Sequence, residues 1–234
     1  MGGRLELVQL LLGHGARVDS RTAKGATPLH TACVEGFLAI AKELLAAGAN
    51  PNKIDRDGCH PLHWVARGGK TELVRAGSSH AWHTYASQTP LIIASFNGHA
   101  ACVKYLVEKC KADPGAVDGQ GFTSVAVAAQ QGHLAVVKIL LSCGVRRLGA
   151  IGYPDALNGV AMSGKLAIMR ELIRAEGGVH VKGVKTSAKM TPLHFAAGYC
   201  HPLATSMLLE AGVDENAADS KGETPVDIVD TLRH

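Results

Sequence analysis

The sequence predicts an all-α fold built from a repeated helical unit, and three patterns support that prediction. The first is the stretch Thr191-Pro192-Leu193-His194, which has a near twin at Thr27-Pro28-Leu29-His30. In both stretches the Thr can cap free backbone N–H groups and the Pro fits the first helical turn, so each marks a helix start. The second pattern is the return of this stretch, or a degraded copy, about every 33 residues. The third is a glycine that follows the Pro position with the same period.

The period is measured between residues in the Pro position. These residues are Pro28, Pro61, Pro90, Ser124, Ala156, Pro192 and Pro225. The mean step between them is about 33 residues, with the shortest from Pro61 to Pro90 and the longest from Ala156 to Pro192. The glycines, eight residues further on, are Gly36, Gly69, Gly98, Gly132 and Gly164, with Cys200 in the sixth place.

Small residues also recur just after the His position, as Ala32, Ala66, Ala94, Ala129, Ala161 and Ala197. A large side chain there would hold the next element away. The pattern therefore predicts closely stacked helices.

These motifs resemble the ankyrin repeat family over nearly the whole chain. Further matches lie downstream of the two Thr-Pro-Leu-His stretches, at Leu44-Leu45-Ala46-Ala47-Gly48 and at Leu208-Leu209-Glu210-Ala211-Gly212. The resemblance implies an all-α solenoid of helix-turn-helix units with short β-hairpin fingers. In such a solenoid each unit contacts only its neighbours.

Residues 1–234 are expected to form one ankyrin repeat domain, because the core of a solenoid grows with the number of repeats. We divide it into a partial repeat at 1–22, repeats at about 23–55, 56–84, 85–118, 119–151, 152–187 and 188–220, and a C-terminal partial repeat at 221–234. Residues 3–12 match a second helix without a first helix before it. We therefore expect the chain to be a fragment of a longer protein or the product of a truncated gene model.

Repeat two is the shortest unit. Gly77 follows Gly69 more closely than Gly48 follows Gly36 in repeat one. Gly77 is taken as the helix stop, so about four residues are missing from the second helix, which is about one turn. The helix would then end before Gly77. Trp82 or Tyr85 would cover the gap.

Composition limits the partners and the compartment. The formal net charge of +4 is a small excess, and we expect no nucleic-acid partner. Six cysteines without a compact framework favour reduced thiols, and hence the cytoplasm or the nucleus. No apolar run approaches the length that a membrane-spanning helix needs, so no membrane span is expected. We also expect a monomer.

Catalytic and metal-binding motifs are weak. The sequence has no G-x-S-x-G motif and no phosphate loop, so we expect no enzyme, no catalytic residue and no cofactor. Thiolate and imidazole groups that zinc prefers do cluster, as Cys59, His60, His63, His80 and His83. However, His63 occupies the His position of the repeat, where the resemblance implies a structural hydrogen bond. We therefore expect no metal site, although metal binding by the four histidines stays open.

The first helices carry the candidate binding residues. The resemblance implies that the residue after the His position, and the residue one turn later, line a concave groove that holds a partner protein. The candidates are Trp64, Arg67, Ile93, Phe96, Val127, Gln130, Met162, Phe195 and Tyr199. The alternative is that some of them pack between repeats. We favour the groove because large residues cluster in consecutive repeats and exposed apolar patches usually mark interaction surfaces.

The predicted function is that of a non-catalytic protein–protein interaction module, which binds its partner through the concave groove of helices and fingers. Basic finger residues would mainly affect the association rate, and these are Arg21, Lys24, Arg56, Arg146, Arg147, Lys182, Lys185 and Lys189. One alternative is a targeting or regulatory segment of a larger enzyme or channel polypeptide. Another is a solenoid that is stabilised by zinc or that binds nucleic acid.

Overall fold

The described part of the chain is helical. A computed structural model describes residues 2–77, 89–143, 153–175 and 184–231. It divides into two compact units, Met1–Asp113 and Pro114–His234. The helices of the first unit are α1 (Gly2–Gly13), α2 (Pro28–Glu35), α3 (Leu38–Ala46), α4 (Pro61–Gly68), α5 (Thr71–Gly77), α6 (Pro90–Phe96) and α7 (Ala100–Glu108). Those of the second are α8 (Ser124–Gln131), α9 (Leu134–Ser142), α10 (Tyr153–Ser163), α11 (Leu166–Ala175), α12 (Pro192–Gly198), α13 (Pro202–Glu210) and α14 (Pro225–Thr231).

Strand pairing among these described residues is limited to one isolated antiparallel bridge, between Val117 and Thr123. The predicted all-α class is therefore confirmed. So are the second helix expected at residues 3–12, found as α1, and the helix start expected near Pro225, found as α14. The division into repeats stays a prediction.

The predicted helix starts form through the chemistry of the Thr-Pro-Leu-His stretch. Thr27 and Thr191 are extended residues at the N-cap, and each is followed by Pro in the first turn. The backbone N–H of Thr27 donates to Nδ1 of His30 at 3.1 Å, and that of Thr191 donates to Nδ1 of His194 at 3.0 Å. Each His thus satisfies a backbone donor at the N-terminus of its own helix.

Within each unit the helices form two layers. In the first unit the first helices α2, α4 and α6 pack side by side, and the second helices α1, α3, α5 and α7 form the other layer. In the second unit α8, α10, α12 and α14 form one layer and α9, α11 and α13 the other. Each first helix from α2 to α12 also packs on the second helix that follows it.

The core is built from two recurring apolar positions. The residue after the Pro position is buried in each of the first helices from α2 to α12, as Leu29, Leu62, Leu91, Val125, Leu157 and Leu193. A leucine of the second helix is buried in the same way, as Leu44, Leu106, Leu140, Leu172 and Leu208. The small residues that predicted close stacking, Ala32, Ala66, Ala94, Ala129, Ala161 and Ala197, are all buried. That expectation is confirmed.

The prediction for repeat two is wrong in one respect. Helix α5 does not end before Gly77, because Gly77 is part of it. Gly77 lies eight residues after Gly69, as Leu44 lies eight residues after Gly36. It therefore occupies the position of the core leucine and is not the equivalent of the helix stop Gly48, which has a left-handed φ of 87°. Trp82 and Tyr85, which were expected to cover a gap, lie outside the described residues.

Candidate functional site

The first unit places four candidate residues on two adjacent first helices. Trp64 and Arg67 are on α4, and Ile93 and Phe96 are on α6, which packs beside it. Arg67 is exposed, Phe96 is 50% exposed, and Trp64 and Ile93 are half-buried. An aromatic ring and a guanidinium group therefore reach solvent on neighbouring helices of this unit.

Trp64 is also part of the packing between repeats. Its indole Nε1 donates to Oδ2 of Asp55 at 2.9 Å. Its ring meets the ring of His30 edge-on, with centroids 5.5 Å apart. Nε2 of His30 in turn donates to the Cys59 carbonyl at 3.0 Å. Trp64 was predicted as a binding residue, with packing between repeats as the alternative, and these contacts give it a structural role.

The candidate binding residues of the second unit differ in solvent exposure. Tyr199, which follows α12, is 57% exposed, and Met162 at the end of α10 is also exposed. Phe195 and Gln130 are half-buried. Val127 is only 6% exposed, so it lies in the core and offers a partner almost no surface. For Val127 the alternative of packing between repeats describes the structure better than the groove does.

The backbone beneath three candidate side chains is held by the next repeat. Nε2 of His99 donates to the Arg67 carbonyl at 3.0 Å, and Nε2 of His201 donates to the Met162 carbonyl at the same distance. The ammonium group of Lys165 donates to the Gln130 carbonyl in the equivalent place. These carbonyls lie in the last turn of a helix, where no intrahelical donor is available. The contacts fix the helix ends that carry the exposed side chains.

Hydrogen bonds to a recurrent aspartate, which was not predicted from the sequence, stabilise the turns of the fingers. Oδ1 of Asp55 accepts from the N–H groups of Asp57 and Cys59, both at 2.9 Å. Asp118 and Asp219 make the same pair of bonds to residues two and four positions further on. An Asp followed three residues later by Gly, at the period of the repeat, was the signal that could have identified them.

The basic finger residues are exposed where the structure describes them. These residues are Arg21, Lys24, Arg56, Lys185 and Lys189. Arg21 also donates to the Ile54 carbonyl of the next finger. Arg146, Arg147 and Lys182 lie outside the described residues.

The histidine cluster is only partly described. The rings of His60 and His63 stack with centroids 5.6 Å apart, and Nδ1 of His63 accepts from the His60 N–H at 3.0 Å. His80 and His83 lie outside the described residues. Within the described ranges, no three His, Cys, Asp or Glu side chains come together as metal ligands could. The structural hydrogen bond implied for His63 is present.

Burial shifts the pKa values of several groups. It lowers the pKa of His30 and of His60 below the ordinary value of 6.5. It raises the pKa of Cys33 and of Cys102 to about 12. All six cysteines fall within the described residues, and each is a free thiol. Burial is the largest cause of each shift, and the hydrogen bonds of the two histidines to backbone carbonyls act in the opposite direction.

The helices that the structure describes include none that combines the length and the apolar character needed to cross a lipid bilayer.

Models of ankyrin repeats match most of the sequence. A model of three ankyrin repeats matches residues 1–76 and 77–147, and a single-repeat model matches residues 189–220. The chain belongs to the ankyrin repeat family. The crystal structure of the human ASB11 ankyrin repeat domain has a similar fold, with a TM-score of 0.74 and 25% identity over 89% of this chain and 98% of that one.

Curated relatives are ankyrin repeat proteins of several kinds. The ankyrin repeat protein nuc-2 of Neurospora crassa is 34% identical over 58% of this chain and 13% of its own length. The ankyrin repeat and KH domain-containing protein mask-1 of Caenorhabditis elegans is 28% identical over 91% of this chain and 8% of its own. The palmitoyltransferase ZDHHC13 of Mus musculus is 28% identical over 82% of this chain and 32% of its own length. The chain thus spans less than a third of the length of each of these relatives.

Proposed function

We propose that this ankyrin repeat chain is a non-catalytic protein-binding module that holds a partner protein on the exposed ends of its first helices. The observation that carries the proposal is the exposure of large side chains there. Arg67 and Phe96 form one such surface in the first unit, and Met162 and Tyr199 form another in the second. Aromatic and Arg side chains contribute a large share of binding energy in protein interfaces.

Rigidity of these helix ends supports the proposal. The bonds from His99, Lys165 and His201 hold the carbonyls of three candidate residues before any partner arrives. A side chain on a fixed helix end loses less conformational entropy on binding than one on a mobile loop. Ile93, Phe195 and Gln130 would extend the surfaces at their half-buried margins, whereas Val127 would support them from the core.

The concave groove of helices and fingers is our proposed binding mode. In it the finger residues Arg21, Lys24 and Arg56 would steer an acidic partner, and their effect would weaken with added salt. Each surface comes from a single chain, so a monomer is sufficient for binding. Six free thiols favour a reducing compartment, and we place the protein in the cytoplasm or the nucleus.

The test compares three variants that each remove one exposed apolar side chain. Phe96→Ala and Tyr199→Ala change the proposed surfaces, and Leu203→Ala is the matched control, since Leu203 is 65% exposed but lies on the second helix α13. Proteins captured from a cell extract by the wild-type chain are identified first and then titrated against each variant.

Truncation of a buried interface anchor costs about 2 kcal/mol or more, so we expect at least one of the two surface variants to bind its partner more than about tenfold more weakly. The control should bind normally. Equal affinity for all three variants would exclude the first-helix surfaces and favour the fingers. Trp64→Ala is not used, because it would also remove the bond to Asp55.

A second candidate is a targeting or regulatory segment of a larger enzyme or channel polypeptide. It is favoured by relatives such as the palmitoyltransferase, of which this chain matches only about a third. The two candidates share the same binding surfaces. Sequencing the full transcript distinguishes them, since a catalytic or membrane-spanning region next to the repeats would support the second.

A further inference from the structure

The net positive charge of the chain belongs to its first unit. Residues 114–234 contain equal numbers of basic and acidic side chains, so the formal net charge of +4 comes from residues 1–113. On the second helices of this unit, the guanidinium group of Arg75 lies 3.3 Å from the Glu72 carboxylate, and the ammonium group of Lys104 lies 4.0 Å from that of Glu108. These two bases are thus balanced by acids on their own helices.

Three bases on the fingers and on α4 have no such partner. Within the described ranges, the side chains of Lys24, Arg56 and Arg67 make no ion pair and no hydrogen bond, and all three are exposed. The segment 78–88, which follows in the sequence, has no Asp or Glu that could pair with them. Helix α4 has a first helix on each side, α2 and α6, so the exposure of Arg67 is that of an internal repeat.

The nearby acids do little to balance these bases. Asp55 is 7% exposed, and its carboxylate accepts from the N–H groups of Asp57 and Cys59 and from the indole of Trp64. It is therefore occupied inside its own turn. In finger one (residues 21–26), finger two (residues 54–59) and α4, all of which the structure describes, Asp57 is the one exposed acid. These elements present more basic than acidic groups to solvent.

Arg56, Trp64 and Arg67 form a corner between finger two and α4, which we call the repeat-two corner. The bond from the Trp64 indole to Asp55, at 2.9 Å, ties the helix to the finger. The N–H of Arg56 donates to the Lys24 carbonyl of finger one at 3.0 Å, and the carbonyl of Arg67 is held by the next repeat. The backbone of the corner is therefore fixed before a partner binds.

Arg67 lies near finger two. Burial raises the pKa of the Cys59 thiol, the carboxylates of Asp55 and Asp57 raise it further, and the guanidinium group of Arg67 opposes them. Because the interaction of two charges weakens with distance, this effect places Arg67 close to the finger. Trp64 lies about one helical turn before Arg67 on the same helix. A base, an indole ring and a second base are therefore neighbours in this corner.

We propose that the repeat-two corner binds an acidic segment of the partner protein. Carboxylates of the segment bind Arg56 and Arg67, and an apolar side chain between them packs on the exposed part of the Trp64 ring. The indole N–H is already bonded, so the exposed part of the ring is apolar. Arginine can bind a carboxylate through two parallel hydrogen bonds, which gives the contact a defined geometry. This inference rests on the proposed protein-binding function and specifies the chemistry of its partner.

A peptide fits the corner better than a nucleic acid does. Surfaces that bind single strands combine a basic groove with aromatic ring faces on which bases stack. Trp64 is half-buried, and its ring meets His30 edge-on. The exposed Asp57 would also repel a continuous row of phosphates, whereas the carboxylates of a peptide can be spaced to avoid it.

The test uses two fluorescent peptides that differ only in charge. One is built from repeats of Glu-Glu-Leu, and the other from the same number of Gln-Gln-Leu repeats. Fluorescence anisotropy measures their affinity for the whole chain in about 50 mM NaCl, where surface charges are weakly screened. The acidic peptide should bind with a Kd of roughly 10–300 µM, because the contact is small and exposed. The neutral peptide should bind at least about tenfold more weakly.

Two variants separate the corner from the net charge of the chain. Arg67→Glu should weaken binding of the acidic peptide by about fivefold or more, because it places a carboxylate where the peptide has its own. Lys42→Glu is the matched control, since Lys42 is exposed and the same change of charge falls on the second helix α3. It should change the affinity by less than about twofold. If circular dichroism shows that Arg67→Glu does not fold, Arg67→Gln replaces it and should weaken binding by about threefold.

Equal affinity for the two peptides, or no binding of the acidic peptide at about 1 mM, would overturn the proposal. So would a loss in Lys42→Glu as large as that in Arg67→Glu, since net charge alone would then explain the binding. A single-stranded RNA that binds more tightly than the acidic peptide would assign the corner to nucleic acid instead. The broader protein-binding function is judged separately, by Phe96→Ala and Tyr199→Ala with a captured partner.

Discussion

Replacing His30 by leucine tests how strongly the imidazole holds two repeats together. His30 is completely buried. Its Nδ1 accepts from the Thr27 N–H at 3.1 Å, and its Nε2 donates to the Cys59 carbonyl at 3.0 Å. Leucine fills much of the same volume but leaves that donor and that acceptor without a partner. A buried polar group that loses its bond costs about 1–3 kcal/mol, so two such groups place the total at about 2–6 kcal/mol.

Thermal unfolding followed by circular dichroism measures the effect. For a protein of this size 1 kcal/mol shifts the Tm by about 2–4 °C, so His30→Leu should lower the Tm by roughly 4–24 °C. His194→Leu is the matched variant, because His194 makes the same two kinds of bond, at 3.0 and 3.1 Å. His14→Leu is the exposed control and should have little effect. A change within about 2 °C for both buried variants would refute this account of the His position.

Two further predictions concern titration and thiol chemistry. The pKa of His30 and that of His60 are lowered on folding, so the unfolded chain binds more protons as the pH falls below 6.5. The free energy of unfolding should therefore keep its full value above that pH and decrease below it, by at most about 1.4 kcal/mol per pH unit for each histidine. The midpoints of urea unfolding at pH 5, 6 and 7.5 test this, and equal midpoints would contradict it. Burial raises the pKa of the Cys33 and Cys102 thiols to about 12, so both should resist iodoacetamide at pH 8 in the folded chain, whereas the exposed Cys200 should react. Mass spectrometry of the labelled peptides measures the extent of labelling, and equal labelling of the three cysteines would contradict the prediction.

The helices could be predicted from the sequence because their starts depend on local chemistry. A Thr followed by Pro sets the N-cap and the first turn within four residues, and this determined where α2 and α12 begin. The match of residues 3–12 to a second helix was also carried by consecutive residues. Gly77 was misread because a glycine is compatible both with a helix stop and with a position inside a helix. Its short distance from Gly69 was taken as the sign of a missing turn, whereas Gly77 lies within α5.

The side-chain environment of the candidate site was less predictable. Trp64 is bonded to Asp55 in a finger, and a contact between a helix and a turn has no periodic signature in the sequence. Val127 and Phe195 are both apolar residues that directly follow the His position of a first helix, yet Val127 is buried and Phe195 is half-buried. Their helix position alone does not determine this difference, because exposure depends on how closely the neighbouring helix approaches.

The bonds that join the ends of three first helices to the next repeat also bear on how such a gene can change. The bonded partners are separated by 32 residues for Arg67 and His99, by 35 for Gln130 and Lys165, and by 39 for Met162 and His201. The same contact thus tolerates seven residues of difference in the chain between its ends. Small insertions and deletions in the intervening segments can accumulate over evolution, while a change inside a helix would disrupt the contact and be removed by selection.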